Sequence, residues 1–230
     1  MKGLLVVLVL LLGLGVVADR VAASVAEDKV ATQLAAKGRL HGTPSVVITG
    51  FPFLTQAVAG SYDDVRISLT AAELGQPAGT KASVDLHGVQ VPLSEVLSGS
   101  VRKVPVDRID GTATLSYALL SAKLGPSTRL TREGSGLRVT RTVELLGQRI
   151  PLTAVGKVTL EGDDLVVHVS RAAGAGVDVP PFLLDQAAGL LDLRYTVPPL
   201  PFGLKLTSVT PAANGVDVRV AASNAVLASE

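Results

Sequence analysis

Apolar and polar positions change rhythm twice along this chain. From Gly3 to Ala18 nothing polar interrupts the run "GLLVVLVLLLGLGVVA", which lies between Lys2 and the pair Asp19-Arg20. As a helix rising 1.5 Å per residue it spans about 24 Å, a little short of the ~30 Å hydrocarbon core of a bilayer. That length suits the apolar region of a signal peptide or a short anchor. Lys2 and the terminal amine hold the start on the inner side and send the remainder outward. Val21-Ala22-Ala23 offers a small-residue cleavage site, with Asp19 and Arg20 placed awkwardly just before it. Residues 1–18 are therefore expected to be a signal sequence or an N-terminal membrane anchor, and 19–230 a single exported domain.

The period then becomes helical. In "RVAASVAEDKVATQLAAK" (20–37), Ala23, Ala26, Val30 and Leu34 form one stripe, the charges of Glu27, Asp28 and Lys29 fall off it, and Gly38 supplies a stop. An alanine-rich face lets a sheet approach closely. From Ser45 onward the period is two. "VRISL" (65–69), "ASVDL" (82–86) and "LRVTRTVEL" (137–145) alternate as strands. "KVTLEGDDLVVHV" (157–169) predicts a hairpin about Gly162-Asp163-Asp164, with Val158 and Leu160 answered by Leu165, Val167 and Val169. A second hairpin over 204–220 turns at Asn214-Gly215.

Three short helical pieces interrupt the strands: 92–98 with Leu93, Val96 and Leu97 on its apolar side, 114–124 ending at Gly125-Pro126, and 181–191 beginning with a proline suited to a first helical turn. "GVQVPLSEV" (88–96) and "GQRIPLTAV" (147–155) share a faint likeness, open between internal duplication and chance in a chain rich in Val and Leu. Long strands without regularly alternating long helices argue against a parallel doubly wound sheet. The expected fold is α+β: a long, curved antiparallel sheet, partly closed and barrel-like, with a long N-terminal helix and short helices lining or covering an elongated apolar cavity.

Composition narrows the chemistry. With 47% hydrophobic and 18% charged residues in 230, the chain can bury a sizeable core. Few aromatic rings are present, so Val, Leu, Ile and Ala must build that core. A formal net charge of +1 with no Lys/Arg block gives nucleic acid no electrostatic footprint. The absence of cysteine removes disulfides, thiolate metal sites and a cysteine nucleophile.

His41, His87 and His168 are scattered without metal-ligand spacing, and no Gly-x-Ser-x-Gly elbow or phosphate-binding glycine loop occurs. His168, between Val167 and Val169, is expected to be a solvent-facing or satisfied histidine and not a ligand. Asp63-Asp64, Asp163-Asp164 and "DRIDGT" (107–112) read as turn and cap residues ahead of carboxylate or calcium sites. No cofactor, metal or catalytic residue is expected, and the chain is not expected to be an enzyme.

Apolar surface remains. All four phenylalanines follow or flank proline: Phe51 and Phe53 about Pro52, Phe182 after Pro180-Pro181, and Phe202 after Pro201. Pro52 has no amide donor and favours an extended neighbour, so "GFPF" is expected at a sheet rim with Phe51 and Phe53 on one face. These rings either plug the end of the core or meet a ligand there. The candidate contacts for an apolar ligand are Phe51, Phe53 and Leu54 at one mouth, Phe182, Leu183 and Leu190 on a covering helix, and Phe202.

"GFPFLTQAVAGSYDDVRI" (50–67), with Gly50, Phe51, Pro52, Phe53, Leu54, Gln56, Gly60 and Tyr62, resembles the signature of the LmeA-like phospholipid-binding proteins of actinobacterial envelopes. "VAEDKVATQLAA" and "DGTATLSYALL" are similar to the same family. The resemblance implies a domain like the tubular lipid-binding folds, facing outward from the cytoplasmic membrane. It also implies a phospholipid partner, notably an inositol-type one, support of lipoglycan assembly, and no catalytic residues. The alternative is a membrane-tethered interaction module stabilising an envelope glycosyltransferase or transporter.

Overall fold

The computed structural model of the chain describes residues 2–125, 128–145, 148–162, 164–174, 177–178, 193–196 and 200–228. It is an α+β protein with a long N-terminal helix and two antiparallel sheets. One sheet has the order β1 (Ser45–Thr49), β2 (Ser61–Leu69), β3 (Lys81–Gln90), β4 (Lys103–Ser116), β12 (Gly215–Ala228), β11 (Lys205–Pro211). The other has the order β10 (Leu193–Thr196), β8 (Asp164–Gly174), β7 (Gln148–Glu161), β6 (Gly136–Leu145), β5 (Thr128–Glu133), with β9 (Val177–Asp178) on β8. Among the described residues neither sheet closes into a barrel. The chain divides into two compact units, one of Met1–Leu69, Ser83–Asp110 and Ala222–Glu230, the other of Thr70–Ala82 and Gly111–Ala221.

In the first unit, helix α1 (Lys2–Lys37) is continuous through both stretches that the sequence separates, and packs on β1 (Ser45–Thr49), α2 (Phe53–Ala59) and α4 (Leu93–Ser98). Its buried residues are Asp19, Ala23, Ala26 and Ala31. The alanine face is thus as expected at Ala23 and Ala26, while Val30 and Leu34 are only half-buried and Ala31 carries the contact instead. Polar side chains beside that face work as well. Glu27 accepts the Ile48 N–H at 2.7 Å, giving the edge strand β1 a partner on its open side, and Gln33 donates to the Val96 carbonyl at 3.1 Å.

Strand β1 pairs with β2 (Ser61–Leu69) from Ser45↔Ser68 to Thr49↔Asp64. The core draws Val46, Ile48, Tyr62, Val65, Leu86, Val89, Val106 and Ile109 from β1, β2, β3 (Lys81–Gln90) and β4 (Lys103–Ser116). Asp63, Asp64 and the "DRIDGT" aspartates therefore lie in strands β2 and β4, not in turns. Strand faces tolerate such charge because neighbouring strands pair it. Arg66 bonds Asp85, and His87 stands between Asp64 and Asp110.

The second unit is built on long hairpins. Strand β5 (Thr128–Glu133) turns at Gly134 into β6 (Gly136–Leu145), which pairs with β7 (Gln148–Glu161). Strand β7 returns as β8 (Asp164–Gly174) with Leu160↔Leu165 and Val158↔Val167, the register expected from alternation. A shift at Val155/Gly156 breaks this ladder, and a Cβ on Gly156 would lie 2.4 Å from the His168 carbonyl oxygen, so only glycine fits the bulge. His168 is exposed and paired with Glu161. Strands β9 (Val177–Asp178) and β10 (Leu193–Thr196) both pair with β8.

Strands β11 (Lys205–Pro211) and β12 (Gly215–Ala228) form the other expected hairpin, with the turn closed by Ala212 N–H to Gly215 O at 2.8 Å. Helix α5 begins at Tyr117 and ends at Leu124, three residues shorter than the 114–124 expectation. Thr114 is held in β4 by its hydroxyl bond to Asp217 at 2.6 Å, and Ser116 becomes the cap, accepting the Leu119 N–H at 3.2 Å. A one-turn helix, α3 (Ala71–Leu74), opens this unit. The two look-alike segments do not share a structure: 88–96 passes from β3 into α4, whereas 148–155 lies within β7.

Candidate functional site

Strand β1 ends at Thr49. Gly50, at φ 106°, turns the chain, the Phe51-Pro52 peptide is cis, and Pro52 takes the N-cap position of α2. Proline has no side-chain acceptor, so α2 begins without a cap of its own. Helix α1 supplies one. Asp19 Oδ1 accepts the Leu54 N–H at 2.8 Å, while Asp19 Oδ2 holds Arg20 Nη2 at 2.7 Å. Arg20 also donates to the Gly50 carbonyl at 3.2 Å, and its guanidinium carbon stands 5.3 Å from the centre of the Phe51 ring. Burial disfavours the Asp19 carboxylate. Hydrogen bonds from Leu54, Arg20 and the Phe53 backbone outweigh that and hold its pKa below the ordinary aspartate value.

The two rings of "GFPF" do not share a face. Phe53 is 2% exposed and meets Tyr62 with ring centres 6.1 Å apart, whereas Phe51 is 63% exposed. The rule that residues two apart point alike belongs to extended chain, and here Phe53 is the first residue of a helix. A further consequence follows along α2: Phe53 and Ala57 go inward, and Leu54 and Val58, one helical turn apart, go outward. Val58 is 90% exposed. Phe51, Leu54 and Val58 are thus exposed apolar side chains, and the Leu54 amide and the Phe51 ring are held at Asp19 and Arg20, where the apolar run of α1 ends.

Helix α2 closes at Gly60, whose φ of 69° suits a left-handed cap. Its carbonyl accepts the Val91 N–H at 2.8 Å, which draws the turn between β3 and α4 toward α2. Between them lies an open groove of about 650 Å³, lined among others by Val58, Val91, Leu93, Glu95, Lys103 and Pro105. Its size falls within the ~300–1,000 Å³ of small-ligand sites, and its walls are mixed. Apolar side chains come from α2 and α4, and Lys103 brings a cation.

Phe202 lies in the second unit, within the 3-10 turn Pro201–Gly203, at φ 59° and exposed. Phe182, Leu183 and Leu190, with the expected 181–191 helix, lie outside the described residues. The structure thus divides the first candidate group, with Phe53 in the core and Phe51 and Leu54 on the surface. Among the described residues no group of three or more His, Asp or Glu is arranged to hold a metal ion. Sequence pattern alone passes over Asp19, Arg20, Val58 and Lys103. Val58 is recoverable as the i+4 partner of Leu54 once 53–59 is taken as helical, but Asp19 and Arg20 carry no local signal of their distant partners.

Among the described residues one helix, α1, is by length and composition apolar enough to cross a membrane, which is compatible with a signal peptide or a membrane anchor. The family model for LmeA-like phospholipid-binding proteins matches residues 17–221, and the chain belongs to that family. The matched region opens where the apolar run closes. No curated protein and no solved structure matches the chain.

Proposed function

We propose that this chain is a noncatalytic phospholipid-binding protein of the cell envelope, anchored by residues 1–18 with 19–230 acting as one lipid-binding domain outside the cytoplasmic membrane. The observation that carries this reading is the family match over residues 17–221. The retained anchor is supported by α1 itself. The small-residue stretch Val21-Ala22-Ala23 sits inside an unbroken helix, and Ala23 is buried in the fold.

In this reading the sheet curves to give an elongated, partly closed apolar cavity. Acyl chains lie along apolar walls with Phe51, Phe53 and Leu54 near one mouth, and Phe182, Leu183, Leu190 and Phe202 are the further candidate contacts from the sequence. Each buried methylene gains about 0.8 kcal/mol, so one chain offsets a substantial ordering cost. The groove beside α2 takes the headgroup end: Val58 and Leu93 meet the glycerol and first methylenes, and Lys103 pairs with the phosphate. An inositol-type phospholipid is the proposed ligand. Its handling supports lipoglycan assembly, with an envelope glycosyltransferase as the enzyme served.

Purification of the chain followed by lipid extraction and mass spectrometry tests the reading. Phospholipid at near-equal molar ratio is expected. A chain that arrives empty and takes up no added phospholipid overturns it and leaves the tethered interaction module in its place.

A further inference from the structure

Leu54 and Val58 face outward from a helix whose first turn is bonded to α1 at one residue, Asp19. Phe51 is fixed at the next, beneath Arg20. Both ties therefore fall within two residues of Ala18, where the uninterrupted apolar run of α1 stops. Helix α1 is continuous there, so the Leu54 amide and the Phe51 ring are held at the level of Asp19 and Arg20. Once the run from Gly3 to Ala18 occupies a bilayer, Phe51 and Leu54 stand at its outer boundary, with Val58 one turn of α2 beyond Leu54. The apolar exposure does not stop at Ala18 on α1 either, since Val21 and Val25 are also exposed.

We infer that the outward face of α2 is a membrane-docking surface, seated in the headgroup–acyl boundary of the same bilayer that α1 crosses. The inference rests on the anchored reading above and goes beyond it: the domain lies on the lipid surface through a second element. A short helix with apolar side chains down and an arginine beside them is built for that boundary. The Arg20 guanidinium over Phe51 places charge at headgroup level next to a ring suited to the interface. Docking also brings the groove that Val58 and Lys103 share to the membrane surface, where its lipid would enter.

The chain has no cysteine, so single-cysteine variants take one nitroxide each. Leu54→Cys, Val58→Cys and Asp28→Cys in the full chain, reconstituted into vesicles of equal phosphatidylcholine and phosphatidylglycerol, are compared by collision accessibility to oxygen and to a water-soluble nickel chelate. Asp28 is exposed on α1 nine residues beyond Asp19, about 14 Å further along the helix, and reports the aqueous side. Expected are oxygen-to-nickel ratios several-fold higher at 54 and 58 than at 28, and a fall at 54 when Val58→Asp is added. Ratios at 54 and 58 equal to that at 28 overturn the docking surface. Shielding from both reagents at 54 and 58 overturns it too, and assigns the face to a second copy of the chain. Phospholipid that co-purifies with the parent chain in detergent, measured by mass spectrometry before reconstitution, judges lipid binding separately, because docking fails or holds without reference to it.

Discussion

Asp19 Oδ1 and the Leu54 amide, thirty-five residues apart in the chain, meet at 2.8 Å, so one helix caps another. Asp19→Ala removes the acceptor from the first turn of α2, and Asp19→Asn keeps an oxygen but loses the charge. Faster amide hydrogen exchange across residues 54–59 is expected for Ala, with Asn between Ala and the parent.

The same carboxylate gives a pH dependence of definite sign. Its folded pKa lies below the ordinary 3.8, so the ionised form is the one the fold favours. Its stabilising contribution is complete above that value and is lost as pH falls below it. Exchange protection of α2 should drop on acidification beneath pH 3.8 in the parent, with Asp19→Ala showing a flatter profile over the same window.

Phe51 and Phe53 should separate cleanly in stability. Phe53→Ala empties a buried ring site and should cost about 3–5 kcal/mol. Phe51→Ala removes an exposed ring and its contact with Arg20, for at most about 1 kcal/mol. Denaturant unfolding of the two variants in one detergent checks the contrast, and equal losses would refute the assignment of opposite faces.

This pair also marks how far sequence pattern reached. Alternation gave the register of β7 on β8 because strand periodicity and a tight turn are local properties. The N-terminal helix was legible for the same reason. "GFPF" was not, since a proline opening a helix and a proline at a strand rim share the same local cues. Asp19 was the harder case. Beside a leader-like run it looks like an obstacle to cleavage, and its role depends on a partner that only folding brings near. The aspartates of β2 and β4 mislead in a related way. Asp is common in turns, yet here Arg66, His87 and Arg108 on strands receive it.

Lys103 offers a charge test of the groove. Lys103→Glu should lower the ratio of anionic to zwitterionic phospholipid retained by the purified chain, read by mass spectrometry, with little change in thermal midpoint because the side chain is exposed.

In the second unit, Gly215→Ala should be costly. Its Cβ would lie 2.2 Å from the Leu115 carbonyl oxygen, a backbone atom with no rotamer to escape through. Overpacking of this kind costs about 1–3 kcal/mol, measurable as a lowered unfolding midpoint.

Helix α1 runs unbroken from Lys2 to Lys37, some 54 Å at 1.5 Å per residue. A carrier on a loose tether can leave its membrane, cross a gap and return. On the anchored reading proposed above, a domain joined to residues 1–18 by this continuous helix would have no such reach. Lipid would then be received and surrendered close to one bilayer, and the traffic served would be lateral, between neighbours on a single membrane face.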